Sequence, residues 1–287
     1  MKIALLTEGI YPYSTGGIQK HSFCLAKLLA KKKVYVDIFT SLNQSDYKIK
    51  DYLNDEDLKC INIIEIKFPK LFRFPGHYII SSWLFSKNIY KKVIETDSYD
   101  IIYAQGFTSW YLLSKGSYQI RYKIVANLHG LEMFQESINS KVRFQQYLLR
   151  IPAENIIYKS NWLISLGGKL STILVNKGAK INNVNNISNG IEEDWISKNI
   201  DTNSDCKVRK FVFVGRYERR KGIEELTAIL KEQNYSTEEF HFIGPIPDSK
   251  KVTKENVFYH GLIKETDRIK AILEDSDVLI CPSHSEG

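Results

Sequence analysis

A chain of 287 residues is long enough to bury the cores of two domains of ordinary size. Its 43% hydrophobic and 25% charged content excludes a disordered protein, and no apolar run reaches the ~20 residues that a membrane-spanning helix needs. The formal charge of +7 favours anionic partners such as nucleotides or phospholipids and is silent about fold.

Strand-like and helix-like runs alternate from end to end, which predicts an α/β fold built on parallel sheets. A strand over 2–7 leads into a helix over 18–31, with Ile18, Leu25, Leu28 and Leu29 as its expected buried side chains. Strands over 34–40 and, after a polar insertion, 61–67 follow; the next strands are 100–104 and 122–128, separated by a helix from about residue 108. A helix over 142–158 is expected to break or restart at Pro152, because proline lacks the N–H of the helical ladder. A strand at 162–166 and a helix over 167–177 precede an asparagine-rich stretch at 182–189. The polar, aperiodic segment at about 196–207 predicts the connection between a domain of 1–196 and one of 207–287. The second series has strands at 210–214, 240–243, 257–259 and 278–281, with helices over 223–231 and 264–273. It is short for a domain and has no helix after its last strand, so the second domain is expected to be incomplete.

Between Ile66 and Ile94 there is no Asp or Glu. Lys67, Lys70, Arg73, Lys87, Lys91 and Lys92 instead share the stretch with Phe68, Phe72, Phe74, Tyr78, Trp83, Phe85 and Tyr90. This composition suits an anionic membrane surface contacted through residues 67–92, and equally suits a helix that buries its aromatics and solvates its lysines. Cys24, Cys60, Cys206 and Cys281 form no C-x-x-C pair and read as reduced core thiols. Together with an N-terminus lacking a secretory cleavage pattern, they point to the cytosol, and the membrane reading of 67–92 would add peripheral attachment to the inner face of the plasma membrane.

The chemistry concentrates at strand ends. The segment from Phe211 to Gly222 reads as a buried strand ending on Gly215, then Arg216, a short turn and Lys221 opening a helix. A helix N-terminus beyond a strand's carboxyl end offers unpaired N–H groups, and a planar guanidinium with a mobile ammonium suits a diphosphate. A solvated basic turn reads equally well from that segment taken alone. Gly16 and Gly17, in the first loop, let backbone amides lie close to a phosphate or sugar, or simply form a turn; the loop is not G-x-G-x-x-G, so a dinucleotide site has little support. His129 follows an apolar strand, where an imidazole can donate to a hydroxyl, although a lone His there is usually structural. Asp275 and Asp277 imitate a metal-binding D-x-D but fall at the wrong end of a strand, and no His/Cys/Asp cluster suggests a tightly held metal.

These pieces resemble glycosyltransferase family 4. The motifs Gly16-Gly17-Ile18-Gln19-Lys20-His21, Leu128-His129-Gly130-Leu131-Glu132, Asn189-Gly190-Ile191, Val214-Gly215-Arg216 with Lys221-Gly222, Phe242-Ile243-Gly244 and Pro282-Ser283-His284-Ser285-Glu286-Gly287 occur in the family's order and approximate spacing. The resemblance implies two Rossmann-like domains facing across a cleft, the GT-B fold, with the second incomplete. It implies a retaining, metal-independent transferase using a nucleotide sugar, UDP ahead of GDP, with no cofactor. Arg216, Lys221 and Gly215 would hold the donor diphosphate, and the amides of Gly16 and Gly17 would approach it from the other domain. His129, Glu286 and Gly287 would meet the donor sugar. The acceptor would be a glycan or a lipid-linked molecule in cell-surface polysaccharide or glycolipid synthesis, and nucleic acid is not an expected partner. A non-catalytic member acting as a binding or partner subunit, and a Rossmann-type oxidoreductase, are the competing readings.

Overall fold

The computed structural model describes residues 1–42, 48–96, 99–115, 123–137, 139–196, 209–235, 237–263 and 265–284. The chain divides into two compact units, Met1–Asn189 and Gly190–Glu286. The division falls ahead of the connection expected at about 196–207, most of which lies outside the described residues. The Glu193–Trp195 turn shows which unit it serves: Asp194 pairs with Lys270 at 2.7 Å, and that ammonium also lies over the Trp195 ring.

Among the described residues, the first unit holds a parallel sheet of seven strands: β1 (Lys2–Leu6), β2 (Tyr35–Thr40), β3 (Ile61–Glu65), β4 (Ile101–Gln105), β5 (Lys123–Asn127), β6 (Trp162–Ser165) and β7 (Val184–Asn186). Their spatial order is β3-β2-β1-β4-β5-β6-β7, and every pairing is parallel. β7 lies in the asparagine-rich stretch, where composition gives no strand signal. Alternation along β1 serves two cores: Ala4 and Leu6 join Phe39, Phe85, Ile89 and Ile102 on one face, while Ile3 and Leu5 join Ile10, Phe23 and Ile38 on the other.

Helices α1 (Gly17–Lys31), α2 (Asp55–Cys60), α3 (His77–Ile94), α4 (Trp110–Ser114), α5 (Ser140–Lys159) and α6 (Lys169–Asn176) accompany this sheet. α1 buries Ser22, Phe23, Ala26 and Ala30 most deeply; of the expected Ile18, Leu25, Leu28 and Leu29, Leu25 and Leu29 pack half-buried against the same core and Leu28 is 60% exposed. Small residues let the helix sit close to the sheet, with Phe23 filling the gap, and that contact outweighs a count of large aliphatic residues. α2 arises in the polar insertion, where Asn54 Oδ1 accepts from Asp57 N at 2.7 Å and three acidic residues occupy the first turn. α5 runs unbroken through Pro152, whose buried ring packs beside Ala153, Ile156 and Ile157. Burial there offsets the lost ladder bond.

α3 divides the aromatic stretch 67–92. Phe85 is buried in the core, and Phe68, Trp83 and Tyr90 pack against it. The helix buries part of its aromatic set, while Tyr78, Ile80, Lys91 and Lys92 on it and residues 70–75 before it are exposed. Cys24 and Cys60 are half-buried, Cys281 is exposed rather than in the core, and Cys206 lies outside the described residues.

The second unit holds β8 (Arg209–Val214), β9 (Glu238–Ile243), β10 (Val257–Gly261) and β11 (Val278–Leu279) in the order β10-β9-β8-β11, all parallel. α7 (Ile223–Glu232) buries Ile223, Leu226 and Leu230, one helical stripe, against Phe213, Phe240 and Phe242. α8 (Thr266–Glu274) ends at Asp275, and Asp277 Oδ2 accepts from Lys210 N at 2.7 Å, so the D-x-D pair anchors the start of the sheet. Among the described residues no helix is long and apolar enough to cross a membrane.

Candidate functional site

In an open parallel sheet the connections at the carboxyl ends part company where the strand order reverses, and that crevice receives ligands. The first unit reverses between β1 and β4. The loop after β1 carries Gly16 and Gly17 to the N-terminus of α1, where Gly16 provides no side-chain cap. The first-turn N–H groups thus keep their donor capacity and partial positive charge. A Cβ on Gly17 would meet nothing within 4 Å, so the space beside it is open.

β4 ends in Gln105, which is 1% exposed, and its Oε1 accepts from His129 Nε2. That acceptor places the imidazole proton on Nε2. His129 has φ 59°, a left-handed conformation, and Asn127 stabilises it. Asn127 Oδ1 accepts from His129 N at 2.9 Å, while its Nδ2 donates to Tyr103 Oη at 3.2 Å. His21, from α1, meets the His129 ring edge-on at 4.9 Å and is itself hydrogen-bonded to Asn189. Two polar atoms here, His21 Nε2 and Gln105 Nε2, are buried with no hydrogen-bond partner among the described residues. Each such atom costs about 1–3 kcal/mol.

Burial first, and the charge of His21 second, push His129 down to about 4; burial also lowers His21, opposed by the Asn189 bond. The His129 imidazole is therefore neutral near pH 7. Between its unfolded value near 6.5 and its folded value of about 4, the unfolded chain binds more protons, so stability falls as pH falls through that window. His129→Asn, chosen because Asn tolerates the left-handed backbone, is expected to flatten this part of the stability-versus-pH curve. Denaturant melts of both proteins between pH 4 and pH 7 measure it, and equal slopes would refute the burial assignment.

The second unit repeats the arrangement. Its order reverses between β8 and β11, and the loops leaving these two strands meet. After β8 come Gly215, Arg216, a 3₁₀ turn over Arg219–Lys221 and Gly222 at φ 66°; α7 then starts at Ile223, two residues after the lysine expected to open it. A Cβ on Gly222 would lie 1.9 Å from the Pro282 carbonyl oxygen, and His284 N donates to Arg220 O at 2.9 Å, which ties the loop after β11 to this turn. A Cβ on Gly244, at the end of β9, would lie 1.9 Å from the Gly215 carbonyl oxygen. Glycine at these points is a steric demand of the turn.

The Arg216 side chain is 71% exposed, and its Nη2 lies 3.1 Å from Glu218 Oε1. Lys221 folds its stem toward Gly215, with Cγ 4.0 Å from where a Gly215 Cβ would stand. Arg219 is bound away by Glu224 and Glu225, and Glu225 also receives His284 Nε2 at 3.1 Å.

Each unit thus gathers its expected residues at its own carboxyl edge: Gly16, Gly17 and His129 in the first, Gly215, Arg216 and Lys221 in the second. Glu286 and Gly287 lie outside the described residues. Residue types alone assigned no role to Gln105, Asn127 or His21. The signal for the first two is a polar residue closing an otherwise apolar strand, and for His21 it is a place one helical turn beyond the double glycine.

Residues 15–195, well over half of the chain, match Glycosyltransferase Family 4. A Klebsiella pneumoniae protein, named as an uncharacterized 41.2 kDa protein in the cps region, is 23% identical over 209 residues. That match takes in 68% of this chain and 57% of the relative, so the chain spans little more than half of the curated relative's length. Among solved structures, sucrose-phosphate synthase from Thermosynechococcus elongatus superposes with a TM-score of 0.75 at 16% identity, over 99% of this chain and 76% of that one. HepE of Anabaena, solved with UDP-glucose, gives 0.59 at 17% identity, over 97% and 73% of the two chains. At these identities the structural likeness speaks for the fold.

Proposed function

The chain belongs to glycosyltransferase family 4 and has its GT-B fold, and from that premise we propose a retaining sugar transfer from a nucleotide diphosphate sugar to a glycan or lipid-linked acceptor. UDP is the proposed nucleotide ahead of GDP, in keeping with the UDP-glucose held by HepE. Cell-surface polysaccharide or glycolipid synthesis is the proposed setting, in keeping with the cps region in the relative's name. The observation that carries the reading is the basic, glycine-built turn at the β8–β11 switch point, where Arg216 and Lys221 stand beside Gly215.

Breaking the anomeric C–O bond leaves a positive sugar and a diphosphate that gains negative charge. Interactions that strengthen as that charge grows lower the barrier. Arg216 and Lys221 supply them without a metal, and the amides at Gly16 and Gly17 offer further donors. His129 belongs beside the sugar: a neutral imidazole meets hydroxyls without opposing the positive charge on the anomeric carbon. Retention follows if the leaving phosphate takes the acceptor proton on the face it vacates, so no separate base is assigned. Glu286 and Gly287 remain proposed sugar contacts. An anionic membrane surface met through 67–92 fits a lipid-linked acceptor, and the exposed residues before α3 support it.

Calorimetry with UDP, GDP, ADP and NAD tests this. UDP is expected to bind most tightly and NAD not at all; NAD binding as tight as UDP would replace the transferase reading with a dinucleotide one.

A further inference from the structure

Residues 70–75 are exposed throughout, with Phe72 94% and Phe74 43% exposed between and beside Lys70 and Arg73. A second set stands on α5. Phe144, Tyr147 and Ile151 recur at i, i+3 and i+7 and are 54%, 63% and 54% exposed, with Lys141 and Arg143 also exposed on the same turns. The two segments adjoin, because Gly76, which ends the loop and caps α3, has its Cβ position 3.6 Å from Leu148 Cδ1 of α5. A groove of about 390 Å³ lined by Arg143, Phe144 and Tyr147 runs along this part of α5.

Large apolar side chains are ordinarily exposed singly, and a patch of them rimmed by one sign of charge marks a binding surface. Along these two segments the charge is basic: no Asp or Glu occurs over 66–94 or 137–153, although Glu8, Glu132 and Glu136 lie nearby. An acidic protein would match the charge but would not explain a phenylalanine left 94% exposed on a loop tip. A bilayer explains both, since rings settle at the headgroup level while Lys and Arg meet anionic phosphates. We infer that α5 and the 70–75 loop form one docking face for an anionic lipid bilayer, with Phe72, Phe144, Tyr147 and Ile151 entering the interface and Lys70, Arg73, Lys141 and Arg143 at the headgroups. This extends the membrane contact proposed for 67–92, and rests on it, by adding α5 and removing the helical half of that stretch.

α5 is a firm platform for this role. Its second half buries Ala153, Ile156 and Ile157 in the core, and Arg150 Nε donates to Met133 O at 2.8 Å. On the other side, Tyr78 Oη, in the first turn of α3, donates to Glu8 of the β1–α1 loop at 2.9 Å. The face is thereby tied to the loop that carries Gly16 and Gly17.

Vesicle co-sedimentation tests the inference, using phosphatidylcholine alone and phosphatidylcholine with about 30% phosphatidylglycerol. The chain is expected to sediment with the anionic vesicles only. Phe144→Ser with Tyr147→Ser, and separately Lys141→Gln with Arg143→Gln, are each expected to lower partition at least about tenfold, as is Phe72→Ser with Arg73→Ser. All are exposed positions, so unchanged melting curves are the folding control. Loss in the loop variant with none in either α5 variant would overturn the inference and leave the 67–92 contact standing. No preference for anionic vesicles by the unmodified chain would overturn both. A dimer dissolved by the α5 substitutions, without lipid binding, would assign the face to a second copy of the chain and also overturn it.

Discussion

Arg216→Ala and Lys221→Ala are each expected to weaken UDP binding by about 10- to 100-fold, the loss of one charge-assisted phosphate contact. Transfer is expected to fall further, by roughly 10² to 10³, because these contacts strengthen as the leaving diphosphate gains charge. The ion pair between Arg216 and Glu218 does not stand in the way. With the guanidinium 71% exposed and 3.1 Å from its partner, it is a surface pair of the kind worth about 0–1 kcal/mol, which a diphosphate displaces readily. Arg216→Lys is expected to recover only part of the affinity, since an ammonium cannot make the paired contacts of a planar fork. Glu218→Gln removes the competing carboxylate and is expected to tighten binding slightly. Calorimetry with UDP and a coupled assay of UDP release measure these outcomes. Near-normal affinity and turnover in both alanine variants would remove the diphosphate assignment.

Gly244→Ala is expected to destabilise the second unit by about 2–5 kcal/mol, combining backbone strain with a steric clash. Gly244 has φ 139°, and a methyl there would lie 1.9 Å from the Gly215 carbonyl oxygen. That oxygen belongs to the backbone, so no rotamer change relieves the contact. The only relief is to part the ends of β8 and β9, which are joined by Gly215 N donating to Ile243 O at 2.9 Å. The same movement would displace Arg216, so UDP affinity is expected to fall along with stability, although residue 244 carries no ligand group. A denaturant melt and a UDP titration on the same preparation test the coupling. Loss of stability with unchanged affinity would show that the turn after β8 is independent of the end of β9.

Much of this architecture is legible in the residues because parallel strands covered on both faces must be apolar runs. β1, β4, β5 and β8 carry such runs and lie close to where hydrophobicity puts them, while β9 keeps only its apolar end, Phe240, Phe242 and Ile243. β7 and α2 escape that reading: an edge strand of three residues needs little apolar content, and a short capped helix declares itself by Asn54 and its acidic turn. The deepest positions of α1, Ala26 and Ala30, are not legible from size alone, because small residues are valuable for closeness, a quantity that only the partner surface defines. The aromatic stretch before and within α3 looked uniform in composition, yet Phe85 is 1% exposed and Phe72 94%.

At the candidate sites the division is similar. Glycines and basic residues at strand ends point to an anionic ligand from composition and spacing alone, since a close backbone approach and a fixed positive charge each need particular residue types. The pairing of His129 with Gln105 and His21 depends on strand order, because residues 105 and 129 meet only when β4 lies beside β5, and His21 only when α1 starts beside that edge. The chain's residue types therefore determine which chemical groups are available and at which strand ends they emerge. Which groups become neighbours, which lose water and so shift their protonation, and which aromatic rings stay exposed were decided by tertiary structure, because burial and contact depend on all the elements packed around a side chain.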